Sequence, residues 1–385
     1  MKSRINIISS IVVIALSLVI GGYIFLAYLN SPKDSNLIYL RAQIRQCFID
    51  DGFSNKCLDD FFQEYMANRS TNEVLLNINE LTSYDEDINI DCHVVIHPIG
   101  RQTLLKKKTV DHAFKECDKT CQSACYHGVM EQFMINKGYS NISDFHKVNF
   151  SLFIKDVCNT NDSHLLRFQC LHGLGHGLLY MLDYNLSNAL EICDNAATEW
   201  DASSCYTGVF MENMVGEKDK RNLKKDDLHY PCNTLDDKYK DQCYLIHTSW
   251  LDELDLSEEE IIEECKKAVN YSGSCVQSLG RDLGNEVRDG DSSYVAKLCS
   301  SLEPELKQRC MSGVLYALID FTWDGSYAYK FCSIFRSKND KSLCFNMSSF
   351  YLTYTILRPI NDLQNDCRLY ARNIPECANS IKLEN

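Results

Sequence analysis

The sequence lacks the short motifs that identify several large classes of enzyme and cofactor protein. It contains no Cys-x-x-Cys-His segment, so covalent attachment of a c-type haem is not expected. Neither a glycine-rich phosphate loop nor a serine nucleophile motif is present. Positive charge is also in deficit, since the formal net charge is −14. An acidic chain has no electrostatic reason to bind nucleic acid or anionic lipid, and we expect no nucleic-acid partner.

Charged residues are missing from residues 7–29, a stretch long enough to span a bilayer. Lys2 and Arg4 precede it, which favours a cytoplasmic N-terminus formed by residues 1–6. A cleaved signal peptide is the alternative, but the apolar stretch is longer than a usual signal core and no clear Ala-x-Ala site follows it. We therefore predict a single-pass signal anchor, a linker over 30–40, and a main domain outside the cytoplasm.

Cysteine is abundant, with 20 residues in a chain of 385. In an oxidising compartment such a count indicates disulfides rather than metal clusters, which agrees with the predicted topology. The chain also has seven Asn-x-Ser/Thr sequons, which are compatible with a glycosylated exterior domain. The sequons are Asn68, Asn141, Asn149, Asn161, Asn185, Asn270 and Asn346.

The cysteines recur with a period near 35 residues, which is typical of a two-helix repeat. Eight units have two cysteines 10 to 12 residues apart, and a ninth has them eight apart. We predict that each pair forms a disulfide within its repeat. The pairs are Cys47–Cys57, Cys117–Cys125, Cys158–Cys170, Cys193–Cys205, Cys232–Cys243, Cys265–Cys275, Cys299–Cys310, Cys332–Cys344 and Cys367–Cys377. Elimination then pairs Cys92 with Cys121, unless both are free thiols and candidate metal ligands.

The residues around each cysteine pair indicate a helix, a stapled connection and a second helix. No sustained alternation of polar and apolar residues predicts strands, so we expect an all-α fold of about nine or ten helical hairpins. We divide it into a repeat half over 41–216 and a C-terminal repeat half over 217–385. The period and the cysteine placement over roughly 41–380 loosely resemble the disulfide-pinned α-hairpins of Sel1-like and tetratricopeptide-like repeat proteins. That resemblance implies an α-solenoid and no particular activity.

Three neighbouring units carry pairs of possible metal ligands spaced i and i+4, which share one face of a helix. The pairs are His93 and His97, His127 and Glu131, and His172 and His176. We compare the positions two and six residues after the cysteine that opens the second helix of each unit. Later units have residues other than histidine at these positions, so packing does not require histidine there. The residues two positions on are Thr207, Leu245, Gln277, Ser312 and Asn346. The Cys92 unit is one residue out of phase in this alignment.

In a solenoid, equivalent positions of successive helices face one surface, so ligands from adjacent helices can converge on one point. Five imidazoles and one carboxylate suffice for one filled metal site or for two open ones. Imidazole with carboxylate suits a transition metal such as Zn, Fe, Cu or Mn. We therefore predict a metal centre made by His93, His97, His127, Glu131, His172 and His176, with Glu131 as either ligand or general base. Two rival hypotheses are a b-type haem held by two histidines, and a non-catalytic solenoid that binds a protein partner on its concave face with incidental histidines.

Two local features leave alternatives open. Pro98 follows His97 directly, so the helix either kinks there or begins near Ile96. The glycines beside the histidines indicate either close helix packing or room for a flat cofactor or substrate; the packing interpretation leaves Gly175 and Gly177 unexplained. Arg101 could anchor an anion or snorkel to solvent, and we expect the second.

Overall fold

The computed structural model describes residues 34–50, 55–138, 149–158, 163–216, 218–372 and 374–381. Every regular element in these residues is helical, which confirms the all-α prediction for this part of the chain. We number the α-helices in chain order: α1 Ser35–Asp50, α2 Asn55–Tyr65, α3 Thr71–Leu81, α4 Glu86–Ile90, α5 Cys92–Lys107, α6 Val110–Phe114, α7 Thr120–Lys137, α8 Phe150–Val157, α9 His164–Met181, α10 Leu186–Cys193, α11 Glu199–Val215, α12 Asp237–Tyr244, α13 Thr248–Glu253, α14 Glu258–Lys267, α15 Ser272–Asp282, α16 Gly284–Asp289, α17 Ser292–Ser301, α18 Pro304–Thr322, α19 Ala328–Ser333, α20 Lys338–Tyr354, α21 Ile360–Tyr370 and α22 Pro375–Ser380. Two short 3₁₀ turns, Cys232–Thr234 and Val269–Tyr271, complete the list.

Backbone contacts divide the chain into an N-terminal unit, Met1–Val95, and a C-terminal unit, Ile96–Asn385. In the N-terminal unit, α1 packs against α2 and α3 around fully buried apolar side chains such as Leu40 and Phe62. The predicted division between 216 and 217 is a different one and stays a prediction.

The predicted membrane helix, residues 7–29, lies outside the described residues. Within the described ranges, no helix is both long enough and apolar enough to cross a bilayer.

The disulfides follow the cysteine pattern of the repeats. All nine in-repeat pairs are formed, which confirms those predictions. Cys92 and Cys121 are also disulfide-bonded and no cysteine is free, so the free-thiol alternative for these two residues is wrong. Each in-repeat bond closes a loop of roughly a dozen residues or fewer, which stabilises the fold by about 2–3 kcal/mol in the loop-closure account.

Long helices form the core of the C-terminal unit. The helix α9 packs between α7 and α11, while α18 packs against both α15 and α20. The helix α18 also contacts α7, and the Lys119 ammonium donates a hydrogen bond to the carbonyl oxygen of Thr322. The two groups of helices are therefore in contact with each other.

Three pairs of these helices approach until their backbones touch, and a glycine stands at each contact. A Cβ atom added to Gly128 of α7 would lie 1.9 Å from the carbonyl oxygen of His97 in α5. The same atom on Gly208 of α11 would lie 1.9 Å from the carbonyl oxygen of His172 in α9. On Gly313 of α18 it would lie 2.0 Å from the carbonyl oxygen of Gln277 in α15.

Each contact is reciprocal, because the first helix of each pair also carries a glycine that faces the second helix. These residues are Gly100, Gly175 and Gly280, whose added Cβ atoms would lie 2.1, 2.1 and 2.2 Å from backbone oxygens of the partner helix. We call α5–α7, α9–α11 and α15–α18 the glycine-paired helices. Any larger side chain at these positions would overlap backbone atoms, so close packing is their function.

Capping and an ion pair fix the start of the α9–α11 pair. The Ser163 side chain accepts a hydrogen bond from the Leu166 backbone at the start of α9. Thr198 caps α11 in the same way by accepting from the backbone of Asp201. Arg167 of α9 then binds the buried Asp201 carboxylate through two nitrogens, at 2.8 and 2.9 Å. Such a bidentate pair holds both the distance and the register of the two helices.

Candidate metal centre

The glycine pairs reveal how the helix α5 aligns with the later helices. Gly128 contacts His97 in the way that Gly208 contacts His172, so His97 is the structural equivalent of His172. In the sequence, His97 stands five residues after its cysteine and His172 only two after its own. The expected offset of one residue is therefore wrong, and the actual offset is three. Arg101, and not a histidine, consequently occupies the position that His176 has in α9.

Four of the predicted histidines lie together in the C-terminal unit. His97 comes from α5, His127 from α7, and His172 and His176 from α9, and all four are buried. The ring centre of His176 lies 5.5 Å from that of His97, 5.1 Å from that of His127 and 4.9 Å from that of His172. The rings of His127 and His172 are 4.8 Å apart. The structure thus brings side chains from three helices to one place.

Oxygen atoms of α11 determine which ring nitrogen of His172 and His176 carries the proton. His172 Nδ1 lies 2.9 Å from Thr207 Oγ1. The Thr207 hydroxyl donates its own hydrogen to the Ser204 carbonyl oxygen, so it accepts from His172. His176 Nδ1 lies 3.0 Å from Glu212 Oε2, which is also an acceptor. Both Nδ1 atoms are therefore donors, and both neutral rings have their lone pair on Nε2.

The two Nε2 atoms face each other at 3.3 Å. Two nitrogen lone pairs at this distance repel each other unless a proton or a metal cation is shared between them. Ligands bonded at about 2.0–2.1 Å to a tetrahedral ion stand roughly 3.3–3.4 Å apart, so the observed separation suits a four-coordinate metal. Oxygen acceptors behind the Nδ1 atoms are also the usual arrangement around metal-binding histidines.

At His97, the acceptor behind Nδ1 is the carboxylate of Glu131, which also binds the guanidinium of Arg101. The Glu131 carboxylate accepts from His97 Nδ1 at 2.6 Å through one oxygen and from Arg101 through the other. Burial alone raises the pKa of Glu131, but the charges of His97 and Arg101 outweigh it and hold that pKa well below its usual range. Arg101 is buried and ion-paired, so the expectation that it snorkels to solvent is wrong.

Glu131 therefore orients His97 from the neighbouring helix, as Glu212 orients His176. Its direct participation as a ligand or a general base stays a prediction. One oxygen of Glu131, one nitrogen of His176 and one oxygen of Glu212 nevertheless lie within 4.8 Å of one another. Carboxylates are consequently close enough to enter the coordination shell of an ion bound at His176.

The prediction includes two further histidines, His127 and His93. His127 Nε2 lies 2.9 Å from the side-chain oxygen of Gln169, which leaves the lone pair of a neutral His127 on Nδ1. His93 is half-buried on the first turn of α5, in the N-terminal unit, and its role as a ligand stays a prediction. Of the alternatives raised by Pro98, a start near Ile96 is wrong, because α5 runs through this residue from Cys92.

The glycines next to His172 and His176 are packing positions. Added Cβ atoms would lie 3.0 Å from the Cα of His127 for Gly173, and 3.1 Å from the Met134 side chain for Gly177. Gly175 faces the backbone of α11 as described above. These residues therefore provide close helix contacts rather than room for a flat cofactor, and the b-type haem hypothesis stays a prediction.

Two residues of the site escaped the sequence analysis. Glu212 stands seven residues after Cys205, one beyond the positions that the alignment compared, and Gln169 stands one residue before Cys170. The signal for Glu212 is an isolated carboxylate within an apolar helix, where it is only 6% exposed. Tyr184 supports it by donating a hydrogen bond of 2.6 Å to its second oxygen.

No protein-family model, no curated protein and no solved structure matches this chain.

Proposed function

We propose that this protein is an extracytoplasmic metalloprotein whose histidine cluster holds one transition-metal ion. The observation that carries the proposal is the pair of Nε2 atoms of His172 and His176, 3.3 Å apart with both Nδ1 atoms committed as donors. When neutral, His97, whose Nδ1 is held by Glu131, has its lone pair on Nε2 and is then a third candidate ligand. His127 and, from the sequence, His93 are further candidate ligands.

The spacing of the ligand atoms favours zinc among the ions that imidazole binds. Histidine nitrogen suits Zn, Cu, Fe and Ni, and ligand type alone does not separate them. The spacing of the two Nε2 atoms corresponds to a tetrahedral shell, the usual geometry of protein-bound zinc. Such an ion would remove the repulsion between the facing lone pairs.

Ten disulfides from 20 cysteines support a location in an oxidising compartment. We further propose that residues 7–29 anchor the protein in the membrane and that its hairpins form an α-solenoid.

The direct test is metal analysis of protein purified from an oxidising compartment without chelator or histidine tag. We expect about one equivalent of metal per chain. The His172→Ala variant should lose most of that metal while remaining helical, because Thr207 and Ser312 occupy the aligned position of other repeats.

His247→Ala is the matched control. His247 is completely buried and hydrogen-bonds the Leu228 carbonyl oxygen through Nε2, but it lies outside the cluster. Its loss should lower stability and leave the metal content unchanged. Equal metal content in wild type and His172→Ala would refute the proposed centre, as would metal-free wild-type protein that fails to bind added zinc. Substitution with Co²⁺ then reports the geometry, because tetrahedral Co²⁺ absorbs visible light far more strongly than octahedral Co²⁺.

A further inference from the structure

A cavity of about 430 Å³ opens between the start of the α9–α11 pair and the helices α18 and α20. Its volume is that of a small-molecule site. Aromatic side chains form much of the wall, namely Phe168, Trp200, Tyr351 and Tyr354. Trp200 and Tyr354 are 42% and 50% exposed, so they form a rim that a ligand reaches from solvent.

One carboxyl group, that of Asp320, lies in this aromatic wall. Tyr351 donates a hydrogen bond of 2.9 Å to it. Among the described residues, no lysine, arginine or histidine forms an ion pair with it. Of the residues that line the cavity, His164 is basic, and none is a lysine or an arginine. Burial raises the pKa of Asp320 to about 7. A carboxyl group of this kind is stabilised in its charged form by any cation that enters the cavity.

The geometry points to a binding site for a small organic cation, a quaternary or primary amine, held by the aromatic walls and by Asp320. Aromatic faces attract such cations through the ring quadrupole, and several rings around one charge form the usual cage for quaternary ammonium groups. Asp320 supplies the counter-charge. A sugar would also stack on these rings, but its recognition does not call for an acidic group that lacks a cationic partner.

This site is separate from the proposed metal centre, although the two are close. Phe168 stacks on the His172 ring with centres 5.2 Å apart, and Gln169 spans from the cavity wall to His127. The ligand therefore lies one layer of side chains away from the imidazoles and does not coordinate the ion. Its binding is expected to be the same in metal-loaded and metal-free protein.

The test is isothermal titration of the full chain with choline and with 3,3-dimethyl-1-butanol, the uncharged analogue of the same shape. We expect choline to bind at least about 10-fold more tightly than the alcohol. Asp320→Asn keeps an acceptor for Tyr351 but removes the charge, and it should weaken choline binding about 10-fold while leaving the alcohol unaffected.

Trp200→Leu should weaken choline binding about 10-fold as well. The matched control is Tyr294→Leu, an aromatic residue with the same 42% exposure that does not line the cavity, and it should change nothing. Equal affinity for choline and the alcohol would overturn the proposal, as would tighter binding of a methyl glycoside or no saturable binding of choline. Titrations of metal-free protein keep this outcome independent of the metal centre.

Discussion

Replacing Gly208 by alanine tests whether the backbone contact between α9 and α11 positions the metal ligands. The added Cβ would lie 1.9 Å from the His172 carbonyl oxygen, and atoms of this kind do not approach below 3.0 Å. The helices must therefore part by about 1 Å. The bond from His172 Nδ1 to Thr207 is 2.9 Å long, and a shift of that size along its direction would break it.

The expected cost in stability follows from three opposing contributions. Overpacking costs about 1–3 kcal/mol, the lost hydrogen bond about 1 kcal/mol, and the better helix propensity of alanine returns about 1 kcal/mol. We expect a net loss of roughly 1–3 kcal/mol. Because the partner that orients His172 is displaced, metal affinity should fall about 10- to 100-fold.

Gly313→Ala provides the matched control. Its added Cβ would lie 2.0 Å from the Gln277 carbonyl oxygen, so the α15–α18 pair should open by a similar distance at a similar cost in stability. This pair carries no histidine, and metal affinity should not change. Urea unfolding measures the stability of both variants, and competition with a chelator measures their affinity. If both variants bind metal as wild type does, the glycine contact does not position the ligands; if both lose affinity equally, the effect is one of general destabilisation.

Three further predictions concern single interactions. Glu212→Gln removes the charge behind His176, so metal affinity measured by chelator competition should fall about 10- to 100-fold with the fold intact. Asp320, with its pKa raised to about 7 from 3.8, keeps its proton longer in the folded than in the unfolded chain. Stability should therefore decrease as the pH rises from about 4 to 7 and level off above that, by up to about 2–4 kcal/mol, and urea unfolding of Asp320→Asn should show a smaller decrease. Replacing both Cys193 and Cys205 by alanine should cost about 2–3 kcal/mol in the same assay, and an unchanged midpoint would contradict the stapling role.

The repeat and its disulfides were predictable because both depend on short distances along the chain. Cysteines 8 to 12 residues apart, at the facing ends of two consecutive helices, lie within disulfide distance once the hairpin forms. Their pairing therefore follows from their spacing in the sequence. Helical periodicity is likewise local. The clustering of His127, His172 and His176 required one further assumption, that successive helices present equivalent positions to one side. It was met because α9 packs against both α7 and α11.

The composition and spacing of residues in this sequence thus determined an all-helical, disulfide-stapled chain and the candidate ligands that neighbouring helices carry. Only the tertiary structure decided the register of α5, which made His97 the counterpart of His172 and placed Arg101 beside Glu131. It also supplied Glu212, whose carboxylate reaches His176 from the next helix. The physical reason is that register between helices depends on which backbones can touch. Here the glycine contacts set it. Gly100 stands eight residues after Cys92, whereas Gly175 stands five after Cys170, so an alignment that starts from the opening cysteine misplaces α5 by three residues.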